Sequence, residues 1–211
     1  MSTNPFGEVP VLPVAIPLGV ALFVLLIAVL ARRKKLTWAR AVTALVVAVY
    51  AAGIFANTIF PIYLTPVDSG EPWTPKLALV PFYDYEVDDA LMNIAVFAPL
   101  GVLIPLLVRR ASWAKVVLIA VSISLGIEFL QLAAQAFFAG GHIADVNDLM
   151  WNTVGGVVGY GVYLVALRIP GLSALVRLFR WHESPASDSA LGAPGVGGPT
   201  PSRSPAKTDA S

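Results

Sequence analysis

Cysteine is absent from the 211 residues of this chain. Its absence excludes disulfide bonds, a thiolate nucleophile and any metal site built from cysteine. Charged residues are also scarce, at 13% against about 25% in a typical soluble domain, whereas apolar residues reach 57%. A chain of this composition, with a mean hydropathy of +0.75, cannot hide its apolar surface in water. We therefore predict an integral membrane protein.

Five apolar runs are long enough to cross the roughly 30 Å hydrocarbon core, which takes about 20 residues in a helix. The fold class that follows is an all-α integral membrane protein with about five transmembrane helices. Two spans lie within residues 1–60, a loop follows at 61–90, and three more spans occupy 91–168. The predicted spans themselves are 11–31, 41–60, 91–108, 116–138 and 149–167.

Basic residues collect at alternate ends of these spans. The first span has no basic residue before it and four after it, which is the reverse of a secretory signal peptide. Because Lys and Arg accumulate in cytoplasmic loops, we expect the N-terminus outside and the C-terminus in the cytoplasm of a multi-pass protein of the bacterial cytoplasmic membrane. Lys76 falls on the outer side, and the inner side carries Arg32, Arg33, Lys34, Lys35, Arg40, Arg109, Arg110, Lys115, Arg168, Arg177 and Arg180.

The residues after the last span divide into two parts. Residues 169–183 have apolar positions at helical spacing with basic residues between them, which indicates either a helix on the inner leaflet or an extension of span five. Residues 184–211 are mostly Ser, Pro, Ala, Gly and Thr, a composition that predicts a disordered cytoplasmic tail. The basic residues flank membrane spans, so nucleic-acid binding has no basis.

Polar residues inside the spans are functional candidates, since they are costly in lipid and tend to face the bundle interior. Glu128 is the one carboxylate deep within a span. Ser124, Glu128, Gln131 and Gln135 are spaced four, three and four apart and form one stripe on span four. The same spacing brings together Asp148, Asn152, Gly155 and Gly159 in span five, and a spacing of four and four does the same for Asn93, Phe97 and Gly101 in span three.

These patterns predict a polar pocket that opens outward beneath the loop at 140–148. Ser124, Gln135 and Asn93 are more readily explained as interhelical hydrogen bonds. Asp145 and Asp148 could instead start the fifth helix, since acidic residues are favourable at a helix N-terminus, and for Asp148 this explanation and a functional one are equally supported. For Glu128 we favour function. The predicted ligand-binding residues are Asn93, Glu128, Gln131, Asp145, Asp148 and Asn152, and the catalytic candidates are Glu128, Asp148 and His142. The spacing matches no metal motif, and no cofactor is expected.

Three blocks of sequence resemble the VanZ-like family of bacterial membrane proteins. They are Asn93-Ile94-Ala95-Val96-Phe97-Ala98-Pro99-Leu100-Gly101, then Glu128-Phe129-Leu130-Gln131, then the run from Asp145 to Gly156 together with Gly159. The resemblance covers roughly residues 79–165, so the first two spans lie outside it. In the family an arginine commonly precedes the first Asp of the third block, whereas this chain has His142. Histidine is charged only at acidic to neutral pH.

The resemblance implies an envelope protein whose name-giving relative is associated with resistance to the glycopeptide teicoplanin, and it brings no enzymatic activity. Our first hypothesis is a protein that binds or screens lipid-linked cell-wall intermediates. An intramembrane enzyme acting on a lipid-linked phosphate or sugar is the second, and a proton-coupled transporter using Glu128 is the third. The expected partner is the lipid bilayer, and a homo-oligomer remains open.

Overall fold

The structure, a computed structural model, describes residues 7–62, 74–83, 86–138 and 143–182. His142, the tip of the loop at 140–148 and the tail at 184–211 lie outside the described residues. Within the described residues, five helices are long and apolar enough to cross a membrane, which confirms the predicted all-α membrane fold. They are α1 (Leu12–Arg32), α2 (Trp38–Ile59), α3 (Val87–Leu107), α4 (Trp113–Phe138) and α5 (Val146–Arg168), followed by a shorter α6 (Pro170–Phe179).

Helices α2 to α5 begin three or four residues before the apolar runs that predicted them. The apolar runs missed these first turns because helix starts are polar: capping side chains satisfy backbone N–H groups that have no helical partner. The Thr37 hydroxyl accepts a hydrogen bond from the Arg40 N–H of α2 at 3.3 Å. The Asp145 carboxylate accepts one from the Asn147 N–H of α5 at 2.8 Å.

Helices α3 and α5 form the closest contact in the bundle, and glycines allow it. A Cβ atom added to Gly155 would lie 2.6 Å from the Ile94 carbonyl oxygen, and one added to Gly159 would overlap the Ala98 carbonyl. Gly101 faces the backbone of Gly156 in the same way. The predicted Gly155–Gly159 pair therefore does bring two helix backbones together.

A two-stranded parallel sheet ties two loops together at one end of the bundle. Strand β1 (Leu77–Ala78) pairs with β2 (Ala144–Asp145), with Leu77 opposite Ala144. Gln135 holds the chain just before β1, since its amide oxygen accepts from the Lys76 N–H at 3.1 Å. We call this end the polar end, and the opposite end, where α1, α3 and α5 finish, the basic end.

The orientation of these two ends in the membrane stays a prediction, and the absence of native cysteine makes it directly testable. A Tyr83→Cys variant places a thiol at a position that is 73% exposed at the polar end, and Ser112→Cys places one at an exposed position at the basic end. In intact cells an impermeant maleimide should label the first variant and not the second. Reversed labelling would invert the predicted topology.

Candidate ligand-binding cavity

A cavity of about 450 Å³ lies between α2, α3, α4 and α5 in the polar half of the bundle. Five of the six predicted ligand-binding residues line it, from three different helices. The lining includes Asn93 of α3, Glu128 and Gln131 of α4, and Asp148 and Asn152 of α5. The stripes read from the sequence therefore do converge on one space, which we call the polar cavity.

Glu128 sits well inside the membrane-spanning part of α4, 15 residues after Trp113 and 10 before Phe138. One carboxylate oxygen, Oε2, accepts the backbone N–H of Asp145 at 2.9 Å. This bond joins the side chain to strand β2. The other oxygen, Oε1, is buried and has no hydrogen-bond partner among the described residues.

Two neighbouring amides repeat this pattern. Asn152 is 4% exposed, and its amide nitrogen donates to the Ser124 hydroxyl at 2.9 Å, linking α5 to α4. Its oxygen Oδ1 has no partner within the described part of the chain, and neither has Oε1 of Gln131. An unpaired buried polar atom costs about 1–3 kcal/mol. These three acceptors belong to residues that line one cavity, and a ligand or bound water that donates to them would remove this cost.

The backbone of α3 adds a further acceptor to the same wall. Pro99 has no N–H, so the Ala95 carbonyl one turn earlier lacks its helical donor, and both residues line the cavity. On the opposite side, Asn93 donates its amide to Asp148 at 2.6 Å, which joins α3 to α5. No Lys, Arg or His is among the described lining residues. The described lining of the cavity is thus rich in hydrogen-bond acceptors.

Asp145 is the predicted ligand-binding residue that does not line the polar cavity. Its carboxylate caps α5 through the Asn147 N–H, and its own N–H serves Glu128. Its geometry is that of a helix cap. Ser124 and Asn93 make the expected interhelical hydrogen bonds. Gln135 instead forms hydrogen bonds with the backbone of Lys76, in the loop between α2 and α3.

Helix α2 contributes a wall of the cavity that the sequence analysis did not foresee. Tyr50, Asn57 and Thr58 all line it, and the Tyr50 hydroxyl donates to the Val96 carbonyl of α3 at 2.8 Å. Tyr50 and Asn57 are seven residues apart, so both lie on one face of the helix. That spacing of two polar residues in a mostly apolar span was the available signal.

An apolar groove of about 480 Å³ continues from the polar cavity between α2, α3 and α4. The two spaces share Tyr50, Ile54, Thr58 and Ile127 as lining residues. On α3 the cavity is lined by residues 92–99 and the groove by residues 100–107, so the groove runs on toward the basic end. Its remaining walls are almost entirely aliphatic. The polar head of an amphipathic molecule would match the polar cavity, and its apolar chain would match the groove.

The fold and the cavity define a multi-pass membrane protein with a polar, acceptor-lined site between its helices. The family model described as VanZ/LLP1 matches residues 47–167, more than half of the chain. The chain therefore belongs to the VanZ/LLP1 family. The match begins within α2, so the family region is wider than the resemblance read from residues 79–165, and it includes Tyr50 and Asn57. No curated protein and no solved structure matches the chain.

Proposed function

We propose that this VanZ/LLP1-family protein binds an amphipathic, lipid-linked envelope molecule in the bacterial cytoplasmic membrane and thereby lowers susceptibility to a glycopeptide antibiotic. The observation that carries the proposal is the polar cavity, with its three unpaired buried acceptors, joined to an aliphatic groove. The link to glycopeptides rests on membership of the family. Membership of the family also supports the proposed location in the bacterial cytoplasmic membrane.

The lining of the polar cavity favours a ligand head that donates hydrogen bonds. Sugar hydroxyls or an ammonium group can donate to Glu128, Gln131 and Asn152, whereas a phosphate group offers these residues only further acceptors. With no basic residue among the described lining residues, the cavity also offers an anion no positive partner. We therefore assign the cavity to a hydroxylated or amino-bearing head rather than to phosphate.

Filling the cavity or the groove should abolish lipid retention, and glycines allow this without disturbing the helices. Gly53 lines the cavity and Gly126 the groove, and an added Cβ meets nothing within 4 Å at either position. Gly53→Leu and Gly126→Phe should each lose the lipid that co-purifies with the wild type, measured by native mass spectrometry. Gly171→Leu is the matched control, since Gly171 lies in α6 with equally open space.

The same variants test the link to resistance. Wild-type protein expressed in a susceptible Gram-positive host should raise the inhibitory concentration of teicoplanin more than that of vancomycin. Teicoplanin carries an acyl chain that can engage the membrane in which this protein lies. Gly53→Leu should lose this effect and Gly171→Leu should keep it. Wild-type protein that is present in the membrane but shifts neither antibiotic would overturn the resistance proposal.

Variants of Glu128 distinguish a hydroxylated ligand head from an ammonium head. Glu128→Gln retains an acceptor but removes the negative charge, whereas Glu128→Leu removes both. A hydroxylated head should survive the first change and be lost with the second, while an ammonium head should be lost with both. Retention of the lipid by Glu128→Leu would show that Glu128 does not contact the ligand.

A second candidate is an intramembrane enzyme that acts on the sugar of such a lipid. It is supported by the presence of two carboxylates, Glu128 and Asp148, on one cavity, because paired carboxyl groups can act as acid and base. Wild-type protein would then convert the retained lipid, and Glu128→Gln would bind it unchanged. A proton-coupled transporter finds less support, because the groove leading toward the basic end is aliphatic.

A further inference from the structure

A recess of about 200 Å³ lies between β1 and the helices α4 and α5, apart from the apolar groove. Leu77 and Leu79 form one wall of it, and nearly all of its surface is apolar. The acidic residues Glu128 and Asp145 also line it, and the carboxylate of each accepts a backbone N–H of the protein. We call this space the lateral recess. Its other apolar lining includes Leu125, Phe129 and Leu132 of α4 and Leu149 of α5.

The side chains of β1 extend an apolar surface from α4 onto the loop. Leu77 is 45% exposed and Leu79 is 68% exposed, whereas Ala78 between them is half-buried. Because successive side chains of an extended chain point to opposite sides, Leu77 and Leu79 share one exposed face. Phe129, which lines the same recess from α4, is 69% exposed. A continuous apolar patch of this kind marks a surface that another apolar partner covers.

The lateral recess lies well below the polar end of α4. Its lining residues on α4 lie between Leu125 and Leu132, which precede the last residue, Phe138, by thirteen and six positions, or about 20 and 9 Å at 1.5 Å per residue. Helix α4 has 26 residues, or about 39 Å, against a hydrocarbon core of about 30 Å. Even if the whole excess of about 9 Å projected at the polar end, the recess would lie within the hydrocarbon core.

A strand can lie at this depth only if its backbone polar groups have partners within the protein, since the hydrocarbon core holds no water. Strand β1 pairs with β2. The Gln135 amide serves both backbone groups of Lys76, accepting from the N–H at 3.1 Å and donating to the carbonyl at 3.4 Å. Further along, the Phe82 N–H donates to the side-chain oxygen of Asn147 at 2.8 Å. These bonds attach the segment to α4 and α5 while Leu77 and Leu79 remain exposed.

We propose that residues 76–82 form a re-entrant segment that enters the leaflet at the polar end, where lipid chains cover Leu77 and Leu79. The exposed leucines continue the lipid-facing surface of α4, and burial against lipid removes them from water. Lys76 is exposed where the segment begins, and a lysine there can extend its ammonium group toward the headgroups. Under the predicted topology this is the outer leaflet.

Three side chains of nearly equal exposure provide a matched test, and the chain has no native cysteine. Leu79 is 68% exposed, Phe129 of the membrane-spanning α4 is 69% exposed, and Tyr83, beyond the segment at the polar end, is 73% exposed. Leu79→Cys, Phe129→Cys and Tyr83→Cys are each spin-labelled in nanodiscs of phosphatidylcholine and phosphatidylglycerol. Relaxation of the label is measured with molecular oxygen, which concentrates in lipid, and with a water-soluble nickel chelate.

The label at Leu79 should behave like the label at Phe129. At both positions the effect of oxygen relative to that of nickel should be several-fold larger than at Tyr83, because only the label at Tyr83 meets water. Leu77→Cys repeats the measurement at a second position on the same face and should give the same result. The unfolding temperature of each labelled variant is compared with that of the wild type, and Leu77→Cys decides if the label at Leu79 disturbs the fold.

A label at Leu79 that responds as the label at Tyr83 does would place the segment in water and overturn the proposal. A label that is shielded from both oxygen and nickel would show that protein, such as a second copy of this chain, covers the two leucines, and the assignment to lipid would be wrong. Neither result depends on the ligand of the polar cavity or on glycopeptide susceptibility.

Discussion

Gly159→Ala should destabilise the protein, whereas the same change at Gly126 should not. The added methyl group would overlap the Ala98 carbonyl of α3, and neither backbone can move without separating the two helices. Overpacking of this kind costs about 1–3 kcal/mol, and contact with rigid backbone favours the upper end of that range. A clear fall in the unfolding temperature should be visible in detergent by fluorescence-detected gel filtration.

Gly126→Ala supplies the matched control in a membrane-spanning helix. Its new methyl group meets nothing within 4 Å, and alanine favours a helix over glycine by about 0.5–1 kcal/mol. Gly126→Ala should therefore leave the unfolding temperature unchanged or raise it slightly, whereas Gly159→Ala should lower it. If both variants unfold at the same temperature, α3 and α5 are not in backbone contact.

Arg40→Lys should also destabilise the protein, although it preserves the positive charge. The Arg40 side chain is fully buried, and its fork of donors serves two separate carbonyls, those of Lys35 and Arg180. A lysine ammonium is a single point with no such fork, so at least one carbonyl should lose its donor. We expect a loss of about 1–3 kcal/mol, read from the unfolding temperature.

Arg32→Lys distinguishes a structural role of Arg40, through its hydrogen bonds, from a role in membrane orientation through its charge alone. Arg32 is exposed at the end of α1, and its replacement should leave the unfolding temperature unchanged. If Arg40 served only as a positive-inside residue, both lysine variants would behave like the wild type. That result would argue against the hydrogen bonds from Arg40 to the carbonyls of Lys35 and Arg180.

The contrast between Arg40 and Glu128 shows what the sequence could predict. Apolar length alone predicts five spans, and the four-three-four spacing on α4 correctly predicts that Glu128 and Gln131 share a face. The sequence analysis counted Arg40 among membrane-flanking charges, because charge placement carries no information about which carbonyls a side chain reaches. One partner of Arg40, the Arg180 carbonyl, lies 140 residues further along the chain. Only the packing of α6 against α2 and α5 brings the two residues together.

Tyr50 and Asp145 mark two further limits. Tyr50 was missed because a single tyrosine in an apolar span does not by itself indicate a contact, and its hydrogen bond to Val96 depends on how α2 meets α3. Asp145 was predicted as a ligand-binding residue because local sequence does not separate a carboxylate that caps a helix from one that lines the polar cavity. In both cases the deciding information is the direction of the side chain.

The pairing of β1 with β2 has a consequence for the order in which the protein can be assembled. The two strands are separated in the chain by the whole of α3 and α4, so they cannot meet until both helices have been synthesised and inserted. The Asp145 N–H that Glu128 accepts belongs to β2 and is made later than Glu128 itself. The carboxyl group therefore enters the bilayer before its partner exists. The polar cavity is closed last, by the arrival of α5.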